Sequence, residues 1–167
     1  MFQDIQQEID VGVRGLKFKP KQVLPALFVG QQTAPARIAS SYVRKNPFVN
    51  RAFALVEVSP TEAPIMQIIG AHKEQIGDRL GYVPFFYVQA LHLVLAGPGI
   101  APPAYASLDS LVDKVNTVKV NLLTIHAIDT EARSVAKARS WNAFFSGKIE
   151  SVVDAAIERA LAKNPVV

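Results

Sequence analysis

Three histidines, an H-A-I-D quartet and a long run of lysines and arginines without acids are the residues whose types and spacing could support chemistry. A histidine works as a general base only within hydrogen-bond reach of the proton it takes. His72 falls on the apolar stripe of its expected helix and His92 inside an uncharged apolar run, so both read as satisfied core or interface groups. His126 and Asp129 of H-A-I-D supply two donors, and a metal needs further ligands that their neighbourhood does not offer. The chain has no cysteine, which excludes disulfides, thiolate metal sites and cysteine nucleophiles. There is no G-x-S-x-G elbow and no H-E-x-x-H. Gly147-Lys148 lacks the preceding glycine and following hydroxyl of a phosphate loop, and Gly97-Pro98-Gly99 reads as a turn. The sequence therefore predicts no catalytic residue, no metal and no cofactor, and a protein that is not an enzyme.

The cations carry the functional signal. Between Val11 and Val56 stand Arg14, Lys17, Lys19, Lys21, Arg37, Arg44, Lys45 and Arg51 with no Asp or Glu, a segment of +8 in a chain of net charge +4. Solvated surfaces interleave both signs because like charges repel, so segregation on this scale calls for a negative partner. Nucleic acid provides closely spaced phosphates whose neutralisation releases counterions. Ser40 and Ser41 add hydroxyls that contact phosphate without reading bases. A second acid-free stretch, Ala132 to Ile149, places Arg133 and Lys137 on one helical face. The candidate nucleic-acid-binding set is therefore Arg14, Lys17, Lys19, Lys21, Arg37, Ser41, Arg44, Lys45, Arg51, Arg133 and Lys137.

No zinc finger, RRM signature or helix-turn-helix is present, so the expected contact is to backbone and shape, with double-stranded DNA the expected partner. Phe18, Phe28, Tyr42, Phe48 and Phe53 interleave the cations; they are read as core anchors, with stacking on single-stranded bases the alternative. Two competing partners stay open. One is an anionic membrane surface. The other is an acidic ridge on a neighbouring subunit, for which Glu150, Asp154 and Glu158 follow at four-residue steps.

The elements that must position these residues read as mainly helical. Phe2, Ile5, Ile9 and Val13 recur at three and four residues, predicting an amphipathic helix at the start of the chain. Pro20, Pro25 and Pro35 then forbid a long helix and predict an extended arm. Ala36 to Asn46 predicts a helix with Arg37 and Arg44 on one face, and Arg51 to Val58 a short strand or extended link. Thr61, an N-cap candidate, opens a helix to Leu80; Pro84 opens an apolar helix to Gly97; Ser107 opens another to Ile125, whose T-V-K-V-N-L-L-T-I run is alternatively a strand. Asp129 is expected to cap a helix to Phe145, and Lys148 to Lys163 to form the last, with Ile149, Val153, Ile157 and Leu161 inside. The expected fold is mainly α: a bundle of four or five helices (57–167) behind a basic, proline-broken N-terminal helix and arm (1–56), in one structural domain.

Half of the residues are apolar and 19% charged, against about 25% charged in an average domain, and the surplus predicts contact with copies or paralogous subunits. Leu80 to Leu108 carries no charge, yet prolines divide it and Phe85 to Ala96 falls short of the roughly 20 residues that span a bilayer, so no transmembrane segment is expected. The acidic start, MFQDIQQEID, predicts no targeting peptide. The V-R-G-L-K-F-K-P-K of Val13 to Lys21, the expected helix around Arg37 to Lys45 and the apolar helices after Thr61 resemble in layout the helical major capsid proteins of filamentous archaeal viruses. That resemblance implies a structural coat protein that polymerises and wraps nucleic acid, in the virion and, during assembly, the host cytoplasm. The alternative is a phage tail or connector subunit whose basic arm docks on acidic faces of its neighbours, without nucleic acid.

Overall fold

The computed structural model describes residues 1–22, 26–29, 32–45, 49–59, 88–100, 120–140, 146 and 148–163. They form two helices, α1 (Phe2–Gly15) and α2 (Ile149–Ala162), and seven strands: β1 (Lys19–Pro20), β2 (Ala26–Val29), β3 (Gln32–Arg44), β4 (Val49–Val58), β5 (Val88–Gly97), β6 (Val120–Asp129) and β7 (Ser134–Arg139). The strands make one mixed sheet in the order β1-β3-β4-β5-β6-β7, with β2 also pairing β3. β4, β5 and β6 run parallel to one another; β3 and β7 flank them antiparallel. The fold is α/β, and the expected helical bundle is overturned.

Three misread segments share a physical cause: helical signals that a sheet also produces. The apolar run around Leu91 to Ala96, expected as a helix buried all round, is β5, a central parallel strand covered on both faces. Such strands lose the alternation that marks half-buried ones. In Ala36 to Arg44 the register slips between Ile38 and Ser40, so the strand's period of two is out of phase on either side. Ile38, Ala39, Tyr42 and Val43 then imitate helical spacing. Asp129 does accept downstream backbone N–H groups, from Glu131 at 2.8 Å and Ala132 at 2.9 Å, but in the β6–β7 turn. Turn and helix N-cap use the same hydrogen bonds. For Ser107 to Ile125, the alternative strand reading holds from Val120 onward. The helix expected over Thr61 to Leu80, and residues 84–87, 107–119 and 141–145 of the others, lie outside the described residues.

The terminal helices match their expected patterns. Ile5, Ile9 and Val13 of α1 and Ile149, Val153 and Ile157 of α2 are buried in one cluster with Tyr42, Phe53, Leu55, Val94 and Ile128 of the sheet. The helices run antiparallel, with Glu8 bonded to Arg159 at 2.8 Å and to Lys163, and Gly12 facing Val152. A Cβ at Gly12 would sit 2.7 Å from Val152 Cγ1, so the missing side chain lets the helices close. The boundary expected at residue 56 falls inside β4. Among the described residues no helix is long and apolar enough to cross a membrane, and the large apolar side chains that stand exposed are Val11 and Val135.

Candidate nucleic-acid interface

The end of α1 starts the site. Leu16 caps the helix and Lys17 follows with φ 64°, the left-handed position that glycine usually takes after a helix. This turn drops Phe18 into the core and sends the chain along β3 as the edge strand β1, where Lys19 lies opposite Val43 and Pro20 opposite Tyr42. Proline is tolerated there because an edge strand has a spare N–H side. The Lys21 N–H donates to the Ser41 carbonyl at 2.9 Å, and the buried Ser41 hydroxyl donates back to the Lys21 carbonyl. Lys17, Lys19 and Lys21 are exposed, and their ammonium groups have no hydrogen bond or ion pair among the described residues.

Other cations lie at this end of the sheet, Arg14, Arg44 and Arg51 on its helix-covered face. Arg44 donates to the Leu16 carbonyl at 3.2 Å, tying the end of β3 to the end of α1. Arg14 Nε donates to the Tyr42 hydroxyl at 3.4 Å and its guanidinium lies 5.8 Å from that ring's centroid. Burial raises the Tyr42 phenol above its ordinary value, with Arg14 opposing that shift and Asp10 adding to it. Arg51 lies directly opposite Arg44, and Lys45 follows it; like charges so opposed repel. An open groove of about 420 Å³ runs beside them between α1 and the sheet edge, lined in part by Gln6, Asp10, Arg14, Lys21 and Ser40.

The structure separates the remaining candidates from this corner. Arg37 pairs with Glu57 toward the far end of β3. The register slip leaves Arg37 and Arg44 on one face, opposite Glu57 and Arg51, but about 20 Å apart at six residues of strand rather than two helical turns. Arg133 takes the left-handed position of the β6–β7 turn, φ 55°, and donates to the Leu161 carbonyl at 3.3 Å at the end of α2. Lys137 binds Asp154 at 2.8 Å and Glu150 at 3.1 Å, and Arg139 binds Glu150 at 3.1 Å. The supposed acidic ridge is thus neutralised at two of its three positions by the chain's own β7. Phe18, Tyr42 and Phe53 are buried, and the Phe28 and Phe48 side chains lie outside the described set.

No family model, curated protein or solved structure matches this chain.

Two histidines lie farther across the sheet, His92 on β5 and His126 on β6. His126 Nε2–H donates to Asp154 at 2.8 Å, so Asp154 bridges β6, β7 and α2. Burial alone would raise the Asp154 carboxyl; the hydrogen bonds from Lys137 and His126 hold it below its ordinary value. His92 is buried on β5, shares a 2.8 Å hydrogen bond with Thr124 through Nδ1 and leaves Nε2 without a hydrogen-bond partner among the described residues. Burial, then the nearby His126 and Arg51, push the His92 imidazole from 6.5 down to about 3, and burial lowers His126 as well. Among the described residues no cluster of three or more metal-ligating side chains occurs. His72 lies outside the described residues.

This network has a pH signature. A histidine kept neutral in the folded chain binds protons only on unfolding, so its contribution is complete above pH 6.5 and is lost as pH falls toward 3. From pH 7.5 to 5.0, His92 alone is expected to remove about 2 kcal/mol of stability, at about 1.4 kcal/mol per pH unit below its unfolded value. Urea unfolding at both pH values measures it. In His92→Gln the drop should shrink by about that amount; an unchanged drop assigns the acid sensitivity to other groups.

Proposed function

We propose that this protein is a structural subunit that packages nucleic acid, holding it by the phosphate backbone at the corner formed by Arg14, Lys17, Lys19, Lys21, Arg44, Lys45 and Arg51. The observation that carries the reading is the set of three exposed lysines without partners among the described residues, on the turn and edge strand that end beside Arg14 and Arg44. Each phosphate neutralised releases counterions, which gives affinity without sequence. Bidentate recognition of guanine needs a free arginine fork. Arg14 and Arg44 instead spend donors on Tyr42 and the Leu16 carbonyl. The reading is backbone contact without base readout, and double-stranded DNA is the first ligand to test.

The rival docking of a basic arm on an acidic ridge has less support. Glu150 and Asp154 are engaged by Lys137, Arg139 and His126 of the same chain, and β1 is paired to β3 of its own sheet. In the proposed reading the purified protein carries excess absorbance at 260 nm that high salt removes, and electron micrographs of native particles show assemblies containing nucleic acid. Assemblies free of nucleic acid, with no salt-sensitive DNA binding, would overturn it.

A further inference from the structure

The chain places two non-glycine residues in the left-handed backbone region among the described residues, Lys17 and Arg133, and only one of them is explained by its own side chain. Left-handed backbone crowds the Cβ of any L-residue, so a position that keeps one calls for a compensating interaction. For Arg133 that interaction is the hydrogen bond to the Leu161 carbonyl at the end of α2. Lys17 occupies the left-handed position after the end of α1, where glycine would relieve the crowding, and its ammonium meets no hydrogen-bond or ion-pair partner among the described residues.

The turn at Lys17 does one further thing. Phe18 faces the core, and Lys17, Lys19 and Lys21 stand exposed at every second residue. Alternate residues of an extended strand point to the same side, which applies to Lys19 and Lys21, a step of about 6.7 Å, while Lys17 is set by the turn that precedes the strand. That step is of the same order as the separation of successive phosphates along a nucleic-acid strand. The paired hydrogen bonds between Lys21 and Ser41, and the pairing of Lys19 with Val43, fix the spacing in advance. Ser41 thereby acts as a positioning residue, its hydroxyl already donated.

We infer that Lys17, Lys19 and Lys21 form a preset track for consecutive phosphates of one nucleic-acid strand, and that Lys17 keeps its crowded backbone to place the first cation of the track. The inference rests on the packaging reading above, and it adds which strand element is held and by what.

The test is Lys17→Gly, which relieves the backbone while deleting the charge, compared with Lys17→Arg, which keeps the charge. Binding of the full chain to a labelled 20-base-pair DNA duplex is titrated across salt, with urea unfolding in parallel. Lys17→Gly should unfold at the same or higher urea concentration, yet lower the log-log salt slope by about 0.7–0.9. Lys17→Arg should leave the slope unchanged. Arg133→Gly, the matched control, should leave the slope unchanged and lower the unfolding midpoint. If wild-type binding is salt-dependent but Lys17→Gly keeps the full slope, the track is wrong and the packaging reading stands. If Lys17→Gly unfolds earlier, Lys17 serves the fold and the inference fails. If wild-type chain shows no salt-dependent binding, the packaging reading itself fails.

Discussion

Gly97→Ala is expected to destabilise the chain by about 3 kcal/mol or more, at the upper end of what forced overpacking costs. Gly97 ends β5, and a Cβ there would lie 2.0 Å from the Val58 carbonyl oxygen and 2.9 Å from its carbon. Those atoms belong to the backbone of the neighbouring parallel strand, so no side-chain rotation can relieve the clash. The Gly97 carbonyl also accepts the Thr130 N–H at 2.9 Å, tying β5 to the β6–β7 turn. Moving β5 to make room would strain that bond too. Against a typical total stability of about 5–15 kcal/mol such a loss is large.

Two glycines calibrate the measurement. Gly99 has φ +67° and open space around its missing Cβ, so Gly99→Ala should cost about 1 kcal/mol through backbone crowding alone. Gly15 closes α1 with no described atom within 4 Å of a Cβ there, and Gly15→Ala should stabilise by about 0.5–1 kcal/mol. Urea unfolding of the three variants checks the order. A Gly97→Ala chain within about 0.5 kcal/mol of wild type would show that the β4–β5 approach is looser than described.

Replacing Lys17, Lys19 and Lys21 together with Gln should lower the log-log salt slope of DNA binding by two to three, at about 0.7–0.9 for each phosphate left without its cation. The fold should survive, because all three side chains are exposed and carry no internal bond among the described residues. The reverse is expected for Arg133→Ala with Lys137→Ala. Both groups are tied to α2, one to the Leu161 carbonyl and one to Asp154 and Glu150. Their removal should leave the salt slope alone and lower stability, since it leaves Asp154 without its lysine. Salt titrations and urea curves on both variants decide the matter. If the triple variant keeps its slope while the β7 double variant loses it, the nucleic-acid surface lies along β7 and the corner is not the site.

The sequence by itself determined the features that depend on local spacing or composition. The stripes of Ile5, Ile9 and Val13 and of Ile149, Val153 and Ile157 specify α1 and α2, because a helix needs no partner to define its period. β-branched residues in Arg51 to Val58 marked β4. The acid-free run was legible as a charge pattern whatever fold carried it.

Only the tertiary structure decided the sheet, because strand pairing is non-local. An apolar run such as Leu91 to Leu95 is compatible with a buried helix until parallel neighbours cover both its edges. The same holds for the cations. Sequence cannot tell Lys137, which meets Asp154 17 positions later, from Lys19, whose opposite residue across the sheet is Val43. Which charges are spent within the chain and which are not is set by which strands lie side by side, and that depends on pairings between residues far apart in sequence.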